Sequence, residues 1–360
     1  MVKGRILDFG VSSGLGVIRH SNTYNKIVLG SGFDASKRAS VNLSTGFTDP
    51  NANVDKAFLD IGFTVPKRVS LPIRVVISLD DITVTREFKP QVIEEVEDGL
   101  YGKAVYEIGG LLGRRLIERP IHTLSIVYSA ASPIVFEDAG LTVIYKGIEG
   151  SWHSMRLLSG ALVLEPGDIV GIDIELPESR LPSKNMAMRI GIPSRFAEIK
   201  VEGPGLDVDL SGNIGTISLE TTLKFQGSRT RIYINYSKPD RKFYPKLARV
   251  TSLVVYETSM PEAQLYVNVE EVQRSGDSIV IKGVISNKGA IKPTTSSLIV
   301  YALGVRVHVE NIEPLEAGEE REFKLNINLS RLPVSPSKLV LRALWSNYGV
   351  TRFRDHEVKL

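Results

Sequence analysis

Leu59, Ile61, Phe63 and Val65 alternate with Asp60, Gly62 and Thr64, and the same period of two returns along the whole chain. It recurs at Ile73, Val75, Ile77 and Leu79, at Ile172, Ile174 and Leu176, and at Phe323, Leu325, Ile327 and Leu329. Segments of this kind turn one face to an apolar core and the other to water, the pattern of antiparallel sandwiches. Gly and Pro interrupt them at short intervals, in PKRVSLP, EPGD, EGPG, LSGN and EAGEE, which read as turns. Helical spacing is confined to PQVIEEVEDG, residues 90–99, where Val92, Ile93 and Val96 predict a helix of at most about three turns. The expected fold class is all-β: tandem β-sandwiches, two jelly-roll-like and one immunoglobulin-like.

An internal repeat sets the expected domain boundaries. LSIVYS (124–129) precedes LTVIY (141–145), and IYINYS (232–237) precedes SLVVY (252–256), at offsets of 108 and 111 residues. One sandwich per repeat gives a first domain over 1–150, a second over 151–258 and a third over 262–360. At 360 residues, 42% apolar and 24% charged, each has enough material for its own core. The absence of cysteine excludes disulfides, thiolate metal sites and cysteine nucleophiles. Many Lys, Arg and Glu without Cys suit a thermophile. A net charge of +3 is too weak to imply nucleic acid, although nothing here excludes it. Asp8, two serines and three glycines break the stretch ILDFGVSSGLGVI, so it fails as a signal core. No run reaches the roughly 20 apolar residues of a membrane helix. The expectation is a cytoplasmic protein without membrane insertion.

Two resemblances add to this reading. In the first unit, DKAFLDIGFTVPKRVSLPIRVVIS, GLYGKAVYEIGGLL and RPIHTLSIVYSAASPIVFEDAGLTVIYK have the layout of strands found in galactose-binding-like and carbohydrate-binding jelly rolls, with Glu137 and Asp138 as an acidic turn before the last strand. In the C-terminal unit, the strand leading to Asn287-Lys288-Gly289, the strand pair around Gly304, and Pro314-Leu315 with Ala317-Gly318-Glu319 resemble the immunoglobulin-like CARDB family. That resemblance implies a spacer or adhesive module with no catalytic residues. An Asn-x-Gly turn accommodates positive φ, which is the role expected of Asn287 and Gly289.

Candidates for chemistry are few. The five histidines, His20, His122, His153, His308 and His356, show no i, i+2 or i, i+4 pair for zinc. His308 is expected on a solvent face and His122 at a sheet edge. Gly10, Gly14 and Gly16 lack the Lys-Ser/Thr of a phosphate loop, and a flexible N-terminal loop is expected there. Asp80-Asp81 and Glu137-Asp138 offer oxygens to calcium but read as turn-forming acids. Arg241, Phe243 and Tyr244 sit in the basic-aromatic stretch KPDRKFYPKLARV (238–250), and Trp152 stands at the junction of the first two units. Aromatic faces stack on sugars or bases while cations hold acidic groups, so these four residues are the candidate ligand contacts. No catalytic residue, metal or cofactor is expected. The function expected is a non-catalytic binding or scaffold protein for a glycan, a polyanion or another protein. A self-assembling structural subunit, of a capsid or a surface lattice and double-jelly-roll-like, is the alternative, with homo-oligomers its consequence, and a glycoside hydrolase accessory protein ranks third.

Overall fold

The computed structural model describes residues 2–31, 36–97, 99–237, 247–330, 332 and 334–360. In chain order the first strands are β1 (Lys3–Gly14), β2 (Val17–Thr23), β3 (Ile27–Leu29), β4 (Arg38–Ser44), β5 (Asn53–Val65), β6 (Ile73–Leu79), β7 (Ile82–Phe88), β8 (Val92–Val96) and β9 (Gly99–Glu107). Helix α1 (Gly109–Glu118) is followed by β10 (Ile121–Val127) and β11 (Ile134–Lys146). Then come β12 (Trp152–Leu164), β13 (Ile169–Glu175), β14 (Ser183–Ile192), β15 (Ile199–Gly203), β16 (Leu206–Asp209), β17 (Gly215–Lys224), β18 (Arg229–Tyr236) and β19 (Ala248–Ser259). The last set is β20 (Leu265–Ser275), β21 (Ser278–Asn287), β22 (Thr295–Ala302), β23 (Val305–Ile312), β24 (Glu320–Asn328), β25 (Lys338–Asn347) and β26 (Val350–Lys359).

The fold is all-β, in tandem sandwiches. The chain divides into two compact units, one of residues 1–46 and 50–259, the other of 47–49 and 260–360. The first unit holds two jelly rolls of matching topology. One packs the sheet β2-β11-β5-β9-β8 against β4-β10-β6-β7; the other packs β1-β12-β19-β14-β17 against β13-β18-β15-β16. Strands β10 and β11 therefore occupy the same places as β18 and β19, the two pairs that carry the sequence repeat. The N-terminal strand β1 does not join the roll that follows it. It pairs antiparallel with β12, from Lys3 opposite Val163 to Gly14 opposite His153. The Gly10–Gly14 segment expected as a flexible loop is thus a strand. Its extended backbone is held by ladder bonds that outweigh the local freedom of glycine.

The helical spacing over 90–99 also proves misleading: Val92–Val96 is strand β8, paired with β9. With Val92 and Val96 buried and Glu94 half-buried, the cross-strand ladder decides the conformation over so short a segment. The helix lies further on, at Gly109–Glu118, where Leu112 and Leu116 are buried one turn apart. In the first roll's core, Phe63 meets Phe88 edge-on at 4.8 Å and Phe136 at 5.7 Å. Each such ring withdraws from water at a gain of about 2–3 kcal/mol.

Among the described residues the second unit is a sandwich of seven strands, β20-β21-β24 facing β23-β22-β25-β26. Asn287 has a different role from the one expected. Its φ is not positive, and its side chain is fully buried as a hub. Its Oδ1 accepts from the backbone N–H of Gln264 and Gly289, and its Nδ2 donates to the carbonyls of Ile291 and Leu315. Gly289 is needed for space, since a Cβ there would stand 2.2 Å from the Glu262 carbonyl oxygen. A bulge in β23 likewise overturns the reading of His308. It sets His308 opposite the fully buried Val300, leaving Val305 and Val309 exposed instead.

Candidate functional site

The sheets β2-β11-β5-β9-β8 and β1-β12-β19-β14-β17 face each other across the first unit, and their contact has an apolar part and an ionic part. Ile18, Phe58, Val105 and Ile144 pack against Met155, Leu157 and Val254. Beside that layer lie Asp60, Lys103 and Asp138 of the first roll and Arg189 of the second, all buried. Lys103 Nζ is 2.6 Å from Asp60 Oδ1 and also contacts Asp138. The Arg189 guanidinium spans both carboxylates, each at 2.5 Å. Tyr101 donates its hydroxyl to Asp138 at 2.8 Å, and Ser159 donates to Asp60 at 3.0 Å.

A β-bulge makes this arrangement. In β11, Phe136 pairs with Phe63 and Asp138 with Gly62, so Glu137 is an extra residue. Phe136 points into the first roll's core, while Glu137 and Asp138 both meet arginines of the second roll. They are strand residues, not the acidic turn expected from the sequence. Gly62 provides the room: a Cβ there would stand 2.3 Å from the Tyr101 hydroxyl and 2.7 Å from Asp138 Oδ2. Burial alone would raise the Asp138 pKa, but Lys103 and Arg189 overcome it and lower the value to about 2. The same network raises Tyr101 well above its ordinary value, through burial first and then the Asp138 charge. His20 is lowered to about 3 by burial and by Arg189. Its Nε2 contacts Asn22 Oδ1 and its Nδ1 contacts Thr142 Oγ1, each at 2.8 Å, so the neutral imidazole donates to Asn22 and accepts from Thr142.

At one end of this seam the ions reach a cleft of about 360 Å³ lined by Lys26, Val96, Glu97, Gly191, Ile192, Pro193, Ile214, Gly215, Leu247 and Arg249. Arg249 Nη2 lies 2.8 Å from Glu137 Oε2, and Lys26 Nζ lies 3.4 Å from the same oxygen. Thr64 donates to Glu137 Oε1 at 2.8 Å. Glu137 is 3% exposed and Arg249 13%, so both are preset by their neighbours rather than free in solvent. Arg249 also stacks over Tyr101, its guanidinium carbon 4.9 Å from the ring centre. Two cations, Lys26 and Arg249, and one carboxylate, Glu97, therefore meet an apolar wall of Val96, Ile192, Pro193 and Leu247, with Glu137 buried behind the cations.

Of the sequence candidates, Arg241, Phe243 and Tyr244 lie outside the described residues. Trp152 is no open platform: it is 3% exposed, with the Arg180 guanidinium 4.3 Å from its ring. His122 lies in the interior strand β10, not at an edge, and its Nδ1 meets Asp80 Oδ2 at 2.7 Å. Asp80 and Asp81 do form a turn, with φ of 49° and 66°. Among the described residues no three His, Asp or Glu side chains gather as a metal cage, and no helix is long and apolar enough to cross a membrane. The seam residues Arg189 and Lys103 escaped sequence reasoning because an isolated cation within an apolar strand looks like any solvent-facing one; Arg249 belongs to the basic stretch 238–250 but is not one of its candidate ligand contacts.

No protein-family model matches the chain, and no curated protein matches its sequence. Solved structures with a similar outline include a β-glucuronidase from Parabacteroides merdae, at TM-score 0.24 and 10% identity over 57% of this chain and 27% of that one. Another is the Endo-D glycoside hydrolase domain from Streptococcus pneumoniae, at TM-score 0.20 and 8% identity over 57% and 33%. A third is a peptide-N(4)-(N-acetyl-β-D-glucosaminyl) asparagine amidase, at TM-score 0.27 and 8% identity over 67% of this chain and 99% of that one. The chain spans between 26% and 36% of the length of the glycosidases it matches. These likenesses are too slight to carry an argument about chemistry.

Proposed function

We propose that this chain is a binding protein that seats a sugar in the cleft beneath Arg249 and Lys26. The observation that carries this reading is the pairing of the donors Arg249 and Lys26, both anchored from behind by the buried Glu137, with the acceptor Glu97 beside an apolar wall. Sugar hydroxyls donate and accept at once, so a mixture of both group types suits them better than a purely cationic site would. The C–H faces of the ring then lie on Val96, Pro193 and Leu247. Binding is favoured over turnover because Glu137 is engaged by Thr64, Arg249 and Lys26, and Asp60 and Asp138 are enclosed between Lys103 and Arg189.

A glycan screen of the whole chain, followed by titration of each hit against Lys26→Met, tests the proposal. Lys26 is 48% exposed, so its loss leaves the fold intact. The expected result is a hit whose affinity falls by about tenfold in the variant, the equivalent of one charge-assisted hydrogen bond. A screen without hits, or hits indifferent to Lys26, overturns it. The stretch holding Arg241, Phe243 and Tyr244 precedes Leu247 in sequence, and the pair Arg241→Ala with Tyr244→Ala tests whether it shares the ligand.

The alternative of a self-assembling subunit draws on the edge of β26, which among the described residues pairs only with β25. That edge carries Arg352, Arg354, Asp355, Glu357 and Lys359, the charged composition of strands kept from pairing. Light scattering that stays concentration-independent would dismiss assembly through it.

A further inference from the structure

The second unit has a pocket of its own, of about 390 Å³, where β26 passes the start of β20. Its lining includes Glu262, Gln264, Trp345, Thr351, Arg352 and Arg354. Three features of that lining are unusual. Arg354 sits over the ring of Tyr266, its guanidinium carbon 3.7 Å from the ring centre, and among the described residues it has no carboxylate partner. Lys288 approaches the same ring at 5.3 Å, so the cation is held without being neutralised. Trp345 is 5% exposed, and its indole N–H is buried without a hydrogen-bond partner. An unmade bond of that kind costs about 1–3 kcal/mol unless something fills it.

The adjacent Arg352 is of the other kind, paired with Glu262. The pocket thus offers one stacked, unpaired guanidinium, a second guanidinium tied to a single acid, and an idle N–H. All of them donate. The group that satisfies this set is planar, anionic and an acceptor at two oxygens.

We propose that this pocket binds a small carboxylate, with one carboxylate face on Arg354 and an acceptor oxygen on the Trp345 indole N–H. A short-chain organic acid and a sugar acid share this group. The sugar acid would also use Gln264, Thr351 and Glu262 for its hydroxyls. The site is separate from the cleft at the jelly-roll seam and does not rest on the reading given to that cleft.

The chain has two tryptophans, Trp152 in the first unit and Trp345 in the second, so an indole ¹⁵N–¹H spectrum of the whole protein holds two side-chain signals. Trp345→Phe assigns them. Sodium acetate and sodium galacturonate are the probes, with galactose and sodium chloride at equal ionic strength as controls. A saturable shift of the Trp345 signal with either carboxylate is expected, with the Trp152 signal still and neither control reproducing the shift. A tighter response to galacturonate identifies the sugar acid, and an equal one the simple acid. Arg354→Ala is expected to weaken the response at least about tenfold. Arg354→Lys, which keeps the charge but loses the two-pronged geometry, is expected to weaken it too. An unchanged Trp152 signal, and a Trp345 signal still dispersed, report that the variants are folded. Absence of a saturable shift overturns the proposal, as does a shift that chloride reproduces or that survives Arg354→Ala in folded protein.

Discussion

Arg189 of the second jelly roll lays its guanidinium against Asp138 of the first, Nη1 2.5 Å from Oδ1, with both side chains sealed from water. The two rolls are therefore joined by a contact that tolerates neither partner alone. Replacing a whole buried ion set with apolar groups is often harmless, but removing one member leaves a charge stranded. Arg189→Met should cost about 3–5 kcal/mol, because Lys103 alone then faces Asp60 and Asp138. Urea unfolding followed through Trp152 in a Trp345→Phe background isolates the first unit. A midpoint equal to that of the background protein would show that the ions are bystanders.

Acid should loosen the first unit in two stages. His20 is held near 3 when folded against 6.5 unfolded, so between those values the unfolded chain binds the extra proton and stability falls as pH drops. The burial of His153 lowers its pKa and acts with the same sign. Asp138, at about 2 when folded against 3.8 unfolded, contributes stability present above 3.8 and lost as pH falls through about 2. Each group adds a slope of at most about 1.4 kcal/mol per pH unit. Melting temperatures of His20→Gln across pH 3 to 6.5 should depend less steeply on pH than those of the parent. Parallel curves would remove His20 from the account.

Gly191 determines where Arg249 can lie. A Cβ at that position would stand 2.8 Å from Arg249 Cγ and 3.0 Å from its Nε, and the residue lines the cleft. Gly191→Ala should push the arginine off Glu137, lowering affinity for any ligand of the cleft about tenfold while costing about 1–3 kcal/mol of stability. Ligand titration beside thermal unfolding separates the two effects. An unaltered affinity would mean that Arg249 does not touch the ligand.

Asn287 should be the most sensitive polar residue of the second unit. Asn287→Ala leaves two N–H groups and two carbonyls without partners, including the backbone around Gln264 and Leu315. A loss of about 3 kcal/mol or more is expected, read from Trp345 in a Trp152→Phe background. A change below 1 kcal/mol, within the range of a surface substitution, would contradict the hub.

Most strands could be read directly, since alternation such as Ile73, Val75, Ile77 and Leu79 survives unaltered into β6. What alternation cannot convey is which sheet a strand joins. The apolar positions of β11 lie on both faces because one faces its own roll and the other faces the neighbouring roll, and period two then loses its contrast. The bulge at Glu137 shifts parity by one, and the bulge in β23 does the same at His308; neither has a local marker. Helix α1 begins Gly109-Gly110 without a side-chain cap, so the usual start signal is missing. The cleft was invisible for a related reason. Lys26, Gly191 and Arg249 are far apart in sequence, and only the pairing of two rolls brings them together.

The position of β1 has a consequence for how the molecule comes into being. Its partner strand is not made until the first roll has been synthesised, with Lys3 opposite Val163 and Gly14 opposite His153. At ordinary rates of translation that is a delay on the order of ten seconds or more, during which the segment has no ladder to join. The first roll is therefore made before the partner of β1 exists. Sheet closure waits longer still, for β19, whose register with both β12 and β14 completes the second roll. Strand β1 is thus a late addition to the sheet it belongs to, and that interval is when a holdase would find most to bind.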